Sequence, residues 1–208
     1  MATTLHSTIR RALLAFVAVG LGLTFVGTRR GHGPAPLPVL GTVTGFQFTN
    51  QLGQLVSTGE LRGSVWLADV IFTRCPGPCL RMTRQMAALQ AALAPADPVK
   101  LVSLTADPEF DTPSVLRAYG ARFQAQAGRW HFLTGRRTEI NAVATKQLLL
   151  AVADTDPAQR TSEDDLFIHS TKLVLVDREG RLRAVYEGTA EGVGPEILEA
   201  IRRLLREG

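Results

Sequence analysis

The sequence predicts an α/β fold, a central mixed β-sheet flanked by helices, preceded by an N-terminal membrane helix. Three observations predict it. Apolar runs of strand length alternate with helical patterns between residues 64 and 150. A hairpin pattern and an amphipathic helix then close the chain. The longest uncharged apolar stretch stands apart from these, near the N-terminus.

That stretch, residues 12–28, lies between Arg10-Arg11 and Arg29-Arg30 and holds 17 uncharged residues. As helix it spans about 25 Å, the short end for a membrane span. A cleaved signal peptide, the rival reading, has a shorter apolar core and an A-x-A site, and none precedes Arg29. Residues 1–30 are therefore read as a single-pass anchor or signal segment. His6 and the terminal amine tip the balance of flanking charge toward an N-terminus inside, which puts the rest of the chain on the extracytoplasmic side. Residues 31–42 carry Pro34, Pro36 and Pro38 and no charge, a semi-rigid linker. Residues 43–208 form the folded domain.

Charge excludes one class of partner. Four of the 23 basic residues lie in residues 1–30, which have no acid, and the other 19 balance the 19 acidic ones. With no basic run outside the anchor, the footprint of a nucleic-acid binder is missing.

Within the domain, residues 46–48 and 54–56 read as a small hairpin. SVWLADVIF, residues 64–72, suits a central strand covered on both faces. A helix starts at Cys79, its apolar positions on one face, and stops before Pro95. VKLVSL, residues 99–104, is a second strand. Asp111-Thr112-Pro113 is a helix start, with Asp111 or Thr112 capping; Asp107 and Glu109 read as loop residues beside it, and this helix runs to about residue 126. Residues 130–133 form a short strand, 137–150 a helix and 154–165 an acidic surface loop. Residues 171–176 and 181–186 form a hairpin, and 195–205 the last helix. This is the pattern of a thioredoxin-like α/β sandwich.

The chemistry concentrates in FTRCPGPC, which holds both cysteines, Cys75 and Cys79. Cys75 leaves a buried strand and Cys79 opens a helix, where unpaired N–H groups favour a thiolate. Such a pair can exchange disulfides or bind a soft metal. A purely structural disulfide is a poor reason for this spacing, because closing so short a loop removes little unfolded-state entropy. Asp69 interrupts the apolar strand six residues before Cys75. Thioredoxins carry a buried aspartate at this offset that helps move protons in thiol exchange, and Asp69 resembles it; the alternative is a partly hydrated acid paired with an arginine. His131 reads as an ordinary half-buried residue. His169, in FIHST, stands at the mouth of a strand, at the corner where thioredoxin-fold oxidoreductases usually carry a cis-proline. Two thiolates and one imidazole suit three-coordinate Cu(I), and Cu(II) with a further ligand, better than tetrahedral zinc. Met82 and Met86 are potential thioether ligands but are read as core filling.

FTRCPGPC, SLTADPEFDTPSVLRAYG, WHFLTG and FIHSTKLVLVDREGRL resemble the SCO/SenC family over roughly residues 43–206. The resemblance implies a copper chaperone of cytochrome c oxidase assembly. Copper would be held by Cys75, Cys79 and His169 and passed to the CuA centre of oxidase subunit II, or that centre's thiols kept reduced. Leu80 and Ile168 stand where many members have proline and aspartate. Loss of that aspartate removes a carboxylate that could hold the imidazole, which lowers the expected copper affinity. The leading reading is therefore a metallochaperone. Its alternatives are a thiol-disulfide oxidoreductase acting on an extracytoplasmic thiol protein, with Asp69 as proton relay, and a redox or copper sensor.

Overall fold

The computed structural model describes residues 35–75, 77–156, 158 and 167–207. The expected anchor, the first part of the linker and most of the acidic loop lie outside them. Among the described residues no helix is long and apolar enough to cross a membrane.

The centre is β4 (Val65–Ile71), all seven of whose residues are buried. Successive strand side chains point to opposite faces, so both faces of β4 are covered, as a continuous apolar run predicts. It pairs in parallel with β5 (Val99–Thr105), and β5 in parallel with β6 (Trp130–Thr134). On its other side β4 pairs antiparallel with β9 (Lys172–Val176), which forms a hairpin with β10 (Arg181–Glu187). β1 (Gly41–Thr42) joins β10, while β2 (Gln47–Asn50) and β3 (Leu55–Ser57) extend the sheet from β6. The eight strands run β1-β10-β9-β4-β5-β6-β2-β3, a mixed sheet of the thioredoxin-like kind.

The helices are α1 (Thr58–Leu61), α2 (Pro78–Ala92), α3 (Pro113–Arg122), α4 (Arg137–Ala142) and α5 (Val193–Arg206). α2 packs on β4 between α3 and α5. Toward α3, the Thr83 and Tyr119 hydroxyls meet at 2.8 Å and Gln90 Nε2 donates to the Gln124 carbonyl at 3.0 Å. Toward α5, Gly194 lies against the end of the Gln85 side chain, where an added Cβ would come within 2.6 Å of Nε2 and displace it. Met82 and Met86 are fully buried in the core, the filling role expected of them.

Three expectations change. The helix expected over 113–126 ends at Arg122, since Gln124 takes a left-handed φ of +54° and Gln90 captures the freed Gln124 carbonyl and Gln126 amide. The helix expected over 137–150 gives way to a π-helical turn, Val143–Gln147, and Leu149 then adopts a φ of +57°. That kink buries Leu148 and Leu150 and leaves Leu149 exposed, so apolar burial outweighs regular helix. Lastly, the folded unit begins before residue 43. β1 pairs with β10, and the buried Arg183 guanidinium donates to the Leu37 and Pro38 carbonyls at 2.6 and 3.1 Å.

Candidate metal centre

Cys75 lies just past the C-terminal end of β4, and Cys79 is the second residue of α2, after Pro78, whose fixed φ suits the first turn. His169 ends β8 (Phe167–His169), which pairs antiparallel with β7 (Val152–Asp154) in a separate two-stranded sheet. These short strands were not legible in the sequence, because three residues carry no periodicity. Both cysteines are free thiols, Cys75 half-buried and Cys79 buried. One donor atom from each of Cys75, Cys79 and His169 lies within 4.8 Å of the other two. His131 lies on β6, away from this group.

The hydrogen bonds define the proton positions. His169 Nδ1 lies 3.1 Å from the carbonyl oxygen of Ser170, which can only accept, so Nδ1 carries the hydrogen. With the hydrogen on Nδ1, it is Nε2 that faces Cys79 Sγ, 3.0 Å away. The single Cys79 S–H proton is shared between this nitrogen and the Cys75 sulfur. Burial pushes the Cys79 thiol up, and the neighbouring Cys75 sulfur adds to the effect. Cys75 moves the other way, down to about 4, chiefly through the hydrogen bond with Cys79, against its partial burial. The backbone N–H groups of Gly77 and Cys79 contribute further lowering. This corrects the sequence reading in one respect. The sulfur stabilised by amides at the helix start is that of Cys75, whereas Cys79 is turned into the core.

Asp69 is fully buried on β4, and among the described residues neither carboxylate oxygen has a hydrogen-bond partner and no arginine pairs with it, which matches the buried aspartate and not an arginine-paired acid. Burial raises its carboxyl to about 7, with smaller opposing contributions from Ser103, its cross-strand partner on β5, and from His169.

A clamp that sequence reasoning missed holds the cysteine loop. Of the two capping candidates, Thr112 caps α3 by accepting from the Val115 amide, and Asp111 is fully buried beside it. Its carboxylate accepts from the Thr73 amide at 3.1 Å and from the Thr73 and Thr105 hydroxyls at 2.5 Å each. Beside it Arg74 pairs with buried Asp107 at 2.5 Å and lies 4.1 Å over the Phe110 ring. The DPEFD run was the available signal, but its contact with residues 73 and 74 is made only by the β4–β5 pairing.

The donor set fits a soft ion. With bonds of about 2.3 Å to sulfur and about 2.0 Å to nitrogen, trigonal coordination separates a sulfur and a nitrogen by roughly 3.7 Å. The 3.0 Å contact of Cys79 with His169 must then open by about 0.7 Å, while the Cys75 sulfur already lies within 4.8 Å of both. The opening is a side-chain adjustment.

The chain matches the SCO1/SenC family over residues 39–206. It is 33% identical over 159 residues to the SCO1 protein homolog of Bacillus subtilis (strain 168), covering 76% of this chain and 79% of that one. Its fold superposes on BsSco, a member of the Sco family of cytochrome c oxidase assembly proteins with an identified disulfide switch. The TM-score is 0.70 at 31% identity, over 82% of this chain and 98% of the other. The copper-bound structure of Bradyrhizobium japonicum ScoI gives a TM-score of 0.63 at 26% identity, over 79% and 98%.

Proposed function

The chain belongs to the SCO1/SenC family, and from that membership we propose that it is a copper-binding carrier for oxidase assembly, with Cys75, Cys79 and His169 as the ligands. One observation carries the reading. Two thiols and an imidazole converge, and the imidazole's free nitrogen is oriented onto the buried thiol by the Ser170 carbonyl. Copper is cargo here. The half-buried Cys75 thiolate meets Cu(I) first; Cys79 gives up its proton to solvent, its contact with His169 opens, and both complete a three-coordinate site. Release runs in reverse, by exchange onto a recipient's thiols through Cys75. The recipient is the CuA site of oxidase subunit II, on the extracytoplasmic side of a membrane that residues 12–28 span. An oxidised Cys75–Cys79 pair has no thiolate to offer, so carriage requires the reduced state.

Titration of the reduced protein with Cu(I) tests this. One tightly held copper per chain is expected, with affinity falling at least tenfold in His169→Ala while Cys75 and Cys79 still oxidise. Unchanged affinity in that variant rejects the ligand assignment.

The buried, unpartnered Asp69 favours a second reading, a thiol-disulfide reductase. Cys75 thiolate attacks a partner disulfide and releases one partner thiolate. Cys79 then attacks the mixed disulfide, its proton passing to Asp69 and the second partner thiol leaving reduced. With a small dithiol supplied to reduce the Cys75–Cys79 disulfide after each cycle, turnover against a model disulfide should drop about tenfold or more in Asp69→Asn; equal turnover removes Asp69 from that mechanism.

A further inference from the structure

What sets His169 over the cysteines is not the main sheet. Among the described residues β8 has one ladder partner, β7, and these two strands form a sheet of their own. β8 continues through Ser170 and Thr171 into β9, so one end is anchored, but no main-sheet ladder bond fixes how far residue 169 lies from Cys79. Aromatic contacts do bridge the two arms. The Phe72 ring, at the end of β4 and three residues before Cys75, meets Phe167 edge-on at 5.3 Å and 72°. The same ring meets the His169 imidazole edge-on at 5.6 Å and 89°. On Phe167 sits the Arg137 guanidinium, 5.1 Å from the ring centroid, and Arg137 is itself held by Glu109 and Asp107. The column Arg137–Phe167–Phe72–His169 thus joins α4, β8 and the strand that leads into the cysteine loop.

We propose that Phe167 is a positioning residue for the copper site, using the Phe72 edge and the Arg137 cation to hold the His169 hairpin in register with the cysteine loop. It touches no metal and acts through His169. The inference deepens the copper reading and rests on it. Edge-to-face and cation–π contacts both require a ring at residue 167. Leucine retains apolar bulk and offers neither, whereas tyrosine preserves both.

The experiment compares the full-length reduced protein with its Phe167→Leu, Phe167→Tyr and His169→Ala variants, titrated with Cu(I) alone. Phe167→Leu is expected to lose 10- to 100-fold in affinity, the range for groups that orient a metal ligand, and Phe167→Tyr to restore it. A metal-free readout accompanies it. The His169 imidazole proton resonances, displaced by the Phe72 ring in the wild type, should move toward free-histidine positions in Phe167→Leu at unchanged melting temperature. Wild-type affinity and wild-type imidazole resonances in Phe167→Leu overturn the proposal. If His169→Ala reduces affinity and Phe167→Leu does not, the positioning role alone fails; if neither does, the copper reading fails and takes the proposal with it.

Discussion

Asp69 is the residue most at odds with its surroundings. A carboxyl without a hydrogen bond inside a strand buried on both faces is destabilising when charged. Its folded-state value of about 7 against an ordinary 3.8 makes the stability pH-dependent. Below 3.8 the folded and unfolded chains both hold the proton and nothing is lost. Between about 4 and 7 the unfolded chain releases it while the fold retains it, so stability falls as pH rises, by roughly 4 kcal/mol in all. Asp69→Asn has no such slope. Its stability relative to wild type, measured by urea unfolding, should therefore be several kcal/mol better at pH 8 than at pH 4. Parallel pH profiles for the two proteins would show that the carboxyl is hydrated. A sequence can flag an acid in an apolar run, but whether it escapes to water depends on what covers each face of the strand.

At the scale of elements, α2 does two jobs. Its first turn presents Cys79, and the apolar face behind it packs Met82, Met86 and Leu89 onto the sheet. Both methionines are fully buried in the apolar core, the packing role expected of them. Met86→Ala is expected to cost about 2–5 kcal/mol of stability, the range for truncating a buried side chain. Met82→Leu and Met86→Leu should each cost under about 1.5 kcal/mol and leave Cu(I) affinity unchanged; loss of affinity in either would make that methionine a ligand. The strand before the cysteines, the helix after them and the Thr112 cap of α3 were all legible from apolar period and turn chemistry. The β7–β8 hairpin and the π-helical turn were not. One is too short to show a period, and the other arises because burying Leu148 and Leu150 requires the chain to kink.

Across the whole molecule, the N-terminal approach, the β9–β10 hairpin and the end of α5 meet at Arg183. Its buried guanidinium bonds Asp177 and Glu207 at 2.8 Å each, besides the carbonyls of Leu37 and Pro38. Removing it leaves Asp177 buried with less compensation. Arg183→Met is therefore expected to lose about 3–5 kcal/mol, and the Leu40 amide, which donates to the Leu182 carbonyl, should exchange at least tenfold faster. Slow exchange at Leu40 in that variant would show that residues 37–42 are held without the arginine. By itself the sequence determined the α/β class, the central buried strand, the redox- and metal-competent cysteine pair and the balanced charge of the domain. Each of these is written in local spacing or composition. Only the tertiary structure decided that Cys75 carries the lowered thiol and Cys79 the raised one, that Asp111 clamps the cysteine loop, and that His169 lies 3.0 Å from Cys79 with its ring edge-on to Phe72. Those facts join residues as many as 97 positions apart, and burial and distance across such a gap are set by how the sheet closes.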